Sequence, residues 1–239
     1  TILKDLDSLQ LWCDGHSLRL DRRPNYGVWI AGSEHIRRQA LITLLIGAGE
    51  LGPPLIHMSH VHGLEFALAE DAQFLPMAQQ CQEFVDSLHT TAMFEPVAMA
   101  EDMLGGRFTD NAVLMLALAF ALQKARVRQQ CFITFKEEEV SWLKSLQIWS
   151  VAQRLADQIN DPDLPFADEE VAAVAAYLLI AARNERWPGD LEINQHFREL
   201  VDSLMRIIAE VYKQPEMQED RTLRDGIVIH VVPACLRDR

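Results

Sequence analysis

Residues 108–126 read FTDNAVLMLALAFALQKAR, and this stretch decides the fold class. From Asn111 to Gln123 it is almost unbroken apolar, rich in Ala, Leu and Met, with no Gly or Pro, a composition that favours helix. A helix that is apolar all round is buried rather than surface-lying. Gln123 and Lys124 interrupt it, and it is short for a membrane span, so no membrane association is expected. The spacing predicts the central helix of a mainly α domain, closing near Arg126, a cation suited to a helix C-terminus.

The same layout returns late in the chain. Residues 221–237 read RTLRDGIVIHVVPACLR, and setting Arg126 on Arg237 places Leu116 on Ile227, Leu118 on Ile229 and Ala119 on His230. Upstream, EFVDSL at 83–88 repeats as ELVDSL at 199–204. The difference between the two offsets falls most simply in the loop around Gly105 and Gly106. A duplication of this size predicts two copies of one helical domain in tandem. Only the opening helices of the second copy are present, so the chain is expected to be a fragment. Residues 1–5 already read as the middle of a helix, not a signal peptide.

With 239 residues and 49% hydrophobic content, one or two domains with a real core are available. Four scattered cysteines (Cys13, Cys81, Cys131, Cys235) without a CxxC pair read as reduced cytosolic thiols. A net charge of −13 argues against a surface that mostly faces nucleic acid. The charge is uneven, however: residues 1–41 hold six Lys/Arg against five Asp/Glu. Any DNA partner must meet that end.

Residues 1–15 form an amphipathic helical pattern with Ile2, Leu3, Leu6, Leu9, Leu11 and Trp12 as its apolar stripe. Leu18-Arg19-Leu20 alternates like a strand, residues 21–27 read as a basic turn, and Val28-Trp29-Ile30 alternates again. Helix, strand, basic turn, strand fits the back half of a winged helix-turn-helix, or equally a helix–hairpin that only packs. Further on, residues 34–46 read as a helix, and 47–54 break it. His57, His60 and His62 lack ligands at fixed spacing and read as a polar linker, with no metal or other cofactor expected. Helices are expected over 74–88, over 138–160 as one long element, over 168–184 with Arg183 in its last turn, and over 197–212 with Leu200, Val201, Leu204, Ile207, Ile208 and Val211 inward. No strand is expected after Ile30. Asp86 and Asp202 recur in the two copies and suggest a shared structural role. No catalytic constellation or phosphate loop is visible, so an enzyme is not expected.

TILKDLDSLQLWCDGHSLRLDRRPNYGVWIAGSEHIRR, residues 1–38, closely resembles the recognition helix, wing and G-S-E-x-x-R-R exit of bacterial regulators that carry phosphotransferase-system regulation domains (PRDs). These are the mannitol-, mannose- and lichenan-operon activators, related to the BglG-type antiterminators. The resemblance implies Thr1 and Lys4 on a DNA-facing helix and Arg22 and Arg23 on the wing. It divides the chain into a winged-helix remnant (1–34), a linker helix and loop (35–66), a first PRD (67–187) and the first half of a second (188–239). Such domains are helical bundles that dimerise, and their histidines are phosphorylated by the phosphocarrier protein HPr or by enzyme II components.

The family's first histidine lies seven residues before an Arg, a position held here by Ala119 before Arg126. Its second lies seven after a Glu, held here by Tyr177 after Glu170. The resemblance therefore implies that the first PRD has lost both phosphoacceptors. His230, seven residues before Arg237, keeps the family pattern in the second and is the candidate phosphorylation site. A neutral imidazole is a good phosphoryl acceptor near pH 7; alanine is none, and a phenol with a pKa of ~10 is a poor one. The function so implied is a cytoplasmic, homodimeric DNA-binding regulator of a sugar-uptake operon. The alternatives are a structural dimerisation module that no longer senses phosphate, and an RNA-binding antiterminator.

Overall fold

The computed structural model describes residues 2–46, 56–59, 65–68, 78–183, 195–224 and 226–228. The protein is mainly helical. The first unit is α1 (Ile2–Gly15), a hairpin of β1 (Arg19–Arg23) and β2 (Gly27–Ala31), and α2 (Glu34–Ile46). A second hairpin, β3 (Ile56–Ser59) and β4 (Glu65–Leu68), leads into α3 (Ala78–Ser87). After a 3-10 turn at Thr90–Met93 come α4 (Phe94–Leu104), α5 (Asp110–Arg128), α6 (Glu137–Ser145), α7 (Ile148–Ile159), α8 (Asp168–Ile180) and α9 (Gln195–Tyr212).

The centre is α5. Every residue from Leu116 to Gln123 is buried, so neighbours cover the helix on all sides, as its composition predicts. Thr109 caps its start by accepting from the Ala112 N–H, and Asp110 and Arg126 with Arg128 suit its two dipole ends. α7 packs along α8, whose run Ala172–Ala175 has no long side chain to hold the helices apart. Phe120, Leu155, Ile159 and Leu178 are fully enclosed in this core.

A separate small core joins the N-terminal unit: Cys13 of α1, Leu18 just before the hairpin, Leu20 of β1 and Ala40 of α2. α2 serves both cores, because its Ile42 and Leu45 belong to the main one. Residues 32–34 make this junction possible. A Cβ on Gly32 would sit 2.6 Å from Leu18 Cδ2, so a larger residue there would make the Leu18 side chain shift. Ser33 then opens α2, its hydroxyl accepting from the Ile36 N–H at 3.4 Å.

Several expectations need correction. Strands do occur after Ile30: β3 and β4 pair Ile56 with Leu68 and Met58 with Phe66. Apolar residues are thus paired at alternate positions of the register, a period too short, at four residues a strand, to stand out in the sequence. His57 lies in β3, while His60 and His62 lie outside the described residues. The helix expected over 138–160 is two, because Leu146 turns extended (ψ 146°) and buries its side chain between them. The 168–184 helix stops at Ile180; Arg183 lies beyond it, in a β-bridge with Phe108 that ties the end of α8 to the start of α5. Arg22 and Arg23 lie in β1, not in the turn, which shrinks to Pro24-Asn25-Tyr26 with Asn25 left-handed (φ 64°). Ile2 and Leu11 of the α1 stripe are exposed. On α9 the buried residues are Val201, Met205 and Ala209, while Ile207 and Val211 face outward. Among the described residues α9 meets Trp142 of α6 and Leu223, Ile227 and Val228. α4 was not anticipated; Pro96 in its first turn reads from sequence as a breaker, although proline is tolerated there.

Truncating the enclosed Leu155 to Ala is expected to lower stability by roughly 2–5 kcal/mol in urea unfolding. Val211→Ala, at a side chain 70% exposed, is expected to change it by less than about 0.5 kcal/mol.

Candidate functional site

The chemistry of the chain concentrates where α2 meets α5 and α8. Glu34, first residue of α2, accepts from Arg126 through both oxygens: Nε to Oε1 at 2.7 Å and Nη2 to Oε2 at 2.8 Å. Its Oε1 also receives Arg38 Nε at 3.1 Å, one helical turn along. Arg38 then turns its other two nitrogens inward onto Glu170, at 2.8 and 2.9 Å, and donates once more to the Cys131 carbonyl at 2.9 Å. Glu170 is completed by the Gln123 side-chain amide at 2.8 Å and the Ile133 N–H at 2.9 Å. The order is Arg126–Glu34–Arg38–Glu170–Gln123, two positive and two negative charges in alternation.

Burial makes this arrangement consequential. Arg38 is 0% and Glu170 1% exposed, and an unpaired charge in such surroundings is costly. Both form forked pairs, the geometry in which guanidinium and carboxylate bind most strongly. For Glu34, burial pushes the pKa up, but the Arg126 and Arg38 guanidiniums together outweigh it and hold the carboxyl below its usual range. For Arg38, burial works against the charge and Glu170 more than restores it, so its pKa is raised. Glu34 and Glu170 each stand in the first turn of a helix, where the dipole favours an anion.

Ala119 and Tyr177, the two positions the resemblance implies have lost a phosphoacceptor, are both enclosed. Ala119 is buried within α5, and Tyr177 is buried on α8 with its ring edge-on to Phe120 at 6.4 Å. Burial, with smaller opposing effects of Arg38 and Glu170, pushes the Tyr177 phenol up to about 12. Its hydroxyl and the Gln123 Oε1 have no hydrogen-bond partner among the described residues. Tyr177 is thus a neutral, inward group at neutral pH, and neither position offers a nucleophile to solvent. His230 and Arg237 lie outside the described residues, as does Thr1.

Of the residues assigned to DNA, Lys4 is exposed on α1. Arg22 reaches back to the Leu6 carbonyl at 2.9 Å and toward Asp7 at 3.5 Å. Arg23 lies over the Trp29 ring at 5.2 Å. Arg19 is forked onto Asp21, and Arg37 donates to the Ile30 carbonyl at 3.2 Å. Much of the positive charge of this end is therefore engaged within the chain. The repeated acids differ in their partners: Asp86 accepts from Gln82, and Asp202 pairs with Arg224. No group of three His, Cys, Asp or Glu among the described residues is placed to hold a metal. No helix among them is long and apolar enough to cross a membrane.

Sequence reasoning did not assign Glu34, Arg38, Gln123 or Glu170 to any network. The resemblance marked Glu34, Arg38, Arg126 and Glu170 by spacing but not as partners of one another, and for Gln123 the signal was polarity inside an apolar run. No protein-family model, curated protein or solved structure matches the chain.

Arg38→Met leaves Glu170 charged and buried, and is expected to cost roughly 3–5 kcal/mol in denaturant unfolding. Adding Glu170→Leu removes the stranded charge, so the double variant should regain much of that loss; a cycle with no coupling contradicts the pairing. Because the folded pKa of Glu34 is depressed, its contribution is complete above the unfolded value and fades as pH falls through the folded one. Glu34→Gln should accordingly flatten the acid limb of the stability profile relative to the parent. Asp161, held at about 2 by Arg128 and Lys124 from its ordinary 3.8, adds a second loss across that interval, which Asp161→Asn should remove.

Proposed function

We propose that the chain belongs to a DNA-binding transcriptional regulator of a sugar phosphotransferase-system operon, built on PRDs. In this reading α1 and the β1–β2 hairpin are the recognition helix and wing. Residues 67–187 are a first PRD that no longer accepts phosphate, and the histidine that responds to HPr or an enzyme II component is His230 in the second. The protein acts in the cytoplasm as a homodimer.

One observation carries the reading. The residues that the family resemblance picks out for their spacing (Glu34 and Arg38 in the wing exit, Arg126 and Glu170 beside the lost histidines) converge in a single buried network. In that network the helix leaving the wing is fastened to the two helices that bear the acceptor positions. A change in those helices would reach the wing through Glu34 and Arg38, as coupling between a sensor and an output requires. With Ala119 and Tyr177 at the acceptor positions, the first domain becomes a fixed connector and the signal must enter elsewhere. Phosphorylation of His230 adds roughly the −1.5 to −2 charge of other phosphorylated side chains, enough to re-bias a packed helical interface.

The engaged arginines of the N-terminal unit favour a second reading, in which the chain is a structural dimerisation module that no longer senses phosphate. The two differ in outcome. The full-length protein is incubated with phosphoenolpyruvate and the general phosphotransferase proteins, and acid-labile phosphate is mapped by mass spectrometry. The regulator reading expects phosphate on His230 and none between residues 67 and 187, with loss of promoter response in His230→Ala. Absence of phosphohistidine, with an unchanged promoter response in His230→Ala, selects the structural module. Ala119→His alone is not expected to restore control, because the position is enclosed.

A further inference from the structure

Two guanidiniums converge on one carboxylate at the mouth of the network. Arg126 presents Nε–H and Nη2–H as a fork, and Arg38 adds its Nε–H beside them, so three donors meet at the place Glu34 occupies. The donors are held without Glu34's help. Arg38 is fixed from behind by Glu170 and the Cys131 carbonyl. Arg126 is steadied by Gln129 through Nη1 at 2.8 Å. The N-terminus of α2, a 13-residue helix, lies at the same point and adds its positive dipole end. A forked guanidinium matches phosphate as well as carboxylate, and a tetrahedral anion has a further oxygen for the second arginine.

Access is one-sided. Arg38 is 0% exposed, Glu34 7% and Arg126 19%, so the place opens to solvent along Arg126. Arg38 keeps its charge neutralised by Glu170 whatever happens to Glu34. The only charge that Glu34 alone balances is that of Arg126, on the accessible side.

We propose that Arg126 and the Arg38 Nε–H form an oxyanion-binding site whose resident occupant is the chain's own Glu34 carboxylate. Its ligand class is a tetrahedral oxyanion, inorganic phosphate or a phosphoryl group on a side chain, entering from the Arg126 side. In the intact protein such a ligand competes with Glu34, and its binding unfastens the start of α2 from α5. This inference does not rest on the regulator reading: it concerns positions 34, 38 and 126 and is independent of what His230 does.

The test titrates inorganic phosphate, and separately O-phosphoserine, into the full chain by isothermal calorimetry at constant ionic strength. With Glu34 removed as competitor, Glu34→Ala is expected to bind phosphate at least about tenfold tighter than the parent. Adding Arg126→Ala should abolish the gain. Glu34→Gln, which keeps the shape of the site without the charge, is the second variant if Glu34→Ala does not fold, and should also bind more tightly than the parent. Binding of phosphate alone marks a small free anion as the ligand; binding of O-phosphoserine as well extends it to phosphorylated side chains. A folded variant that binds neither more tightly than the parent, or whose binding survives Arg126→Ala, overturns the proposal.

Discussion

The seating of α2 on the bundle depends on one buried ion pair. Arg38 and Glu170 are 132 residues apart and have almost no contact with water, so each makes the other tolerable. Hydrophobic burial supplies the stability of the bundle, but it is not directional. The forked pair is. It specifies which residue of α2 meets which residue of α8, and with the Cys131 carbonyl and the Ile133 N–H it pins the turn between α5 and α6 as well. Replacing it with apolar groups of similar shape need not weaken the bundle; what the charges add is a single permitted seating for α2.

That seating explains the short stretch from Gly32 to Arg38. Gly32 lets the chain pass Leu18, Ser33 opens the helix, and Glu34 takes Arg126. Arg37 turns back to the hairpin at Ile30, and Arg38 turns forward to Glu170. Adjacent arginines on one helix thus hold opposite neighbours, the hairpin behind and the bundle ahead. The N-terminal unit has its own small core around Cys13, and α2 is the element that both cores share. A rotation of α2 would disturb both at once.

The sequence made the central elements legible for identifiable reasons. α5 could be read because an unbroken apolar run has one stable location. α8 was readable in the same way until Ile180, where no breaker marks its end and the β-bridge to Phe108 decides it. The split at Leu146 was hidden because leucine satisfies both the helical pattern and the buried turn. On α9 periodicity shows that an apolar stripe exists, but which part is covered depends on partners elsewhere in the chain. The charge network was invisible for a related reason. Glu34, Arg38, Arg126 and Glu170 look like surface residues until residues 92 and 132 positions apart are brought together.

Under the proposed regulator reading, the network also accounts for a pattern that loss of the phosphoacceptors alone would leave odd. If position 119 holds alanine and 177 a buried tyrosine, the arginine and glutamate that accompany the acceptor histidines in the family would have nothing left to serve. Yet Arg126 and Glu170 are both present, and each is fully engaged. Their partners are Glu34 and Arg38 of α2, not positions 119 and 177. A side chain that neutralises a buried charge cannot be lost without stranding its partner, whereas an acceptor can be replaced by a group that merely fills its space. Ala119 and Tyr177 do the latter: both are enclosed, and the tyrosine ring packs against Phe120. If the proposed reading holds, sensing and seating are separable in such a domain, and the acceptors can be lost while the buried charges stay in place.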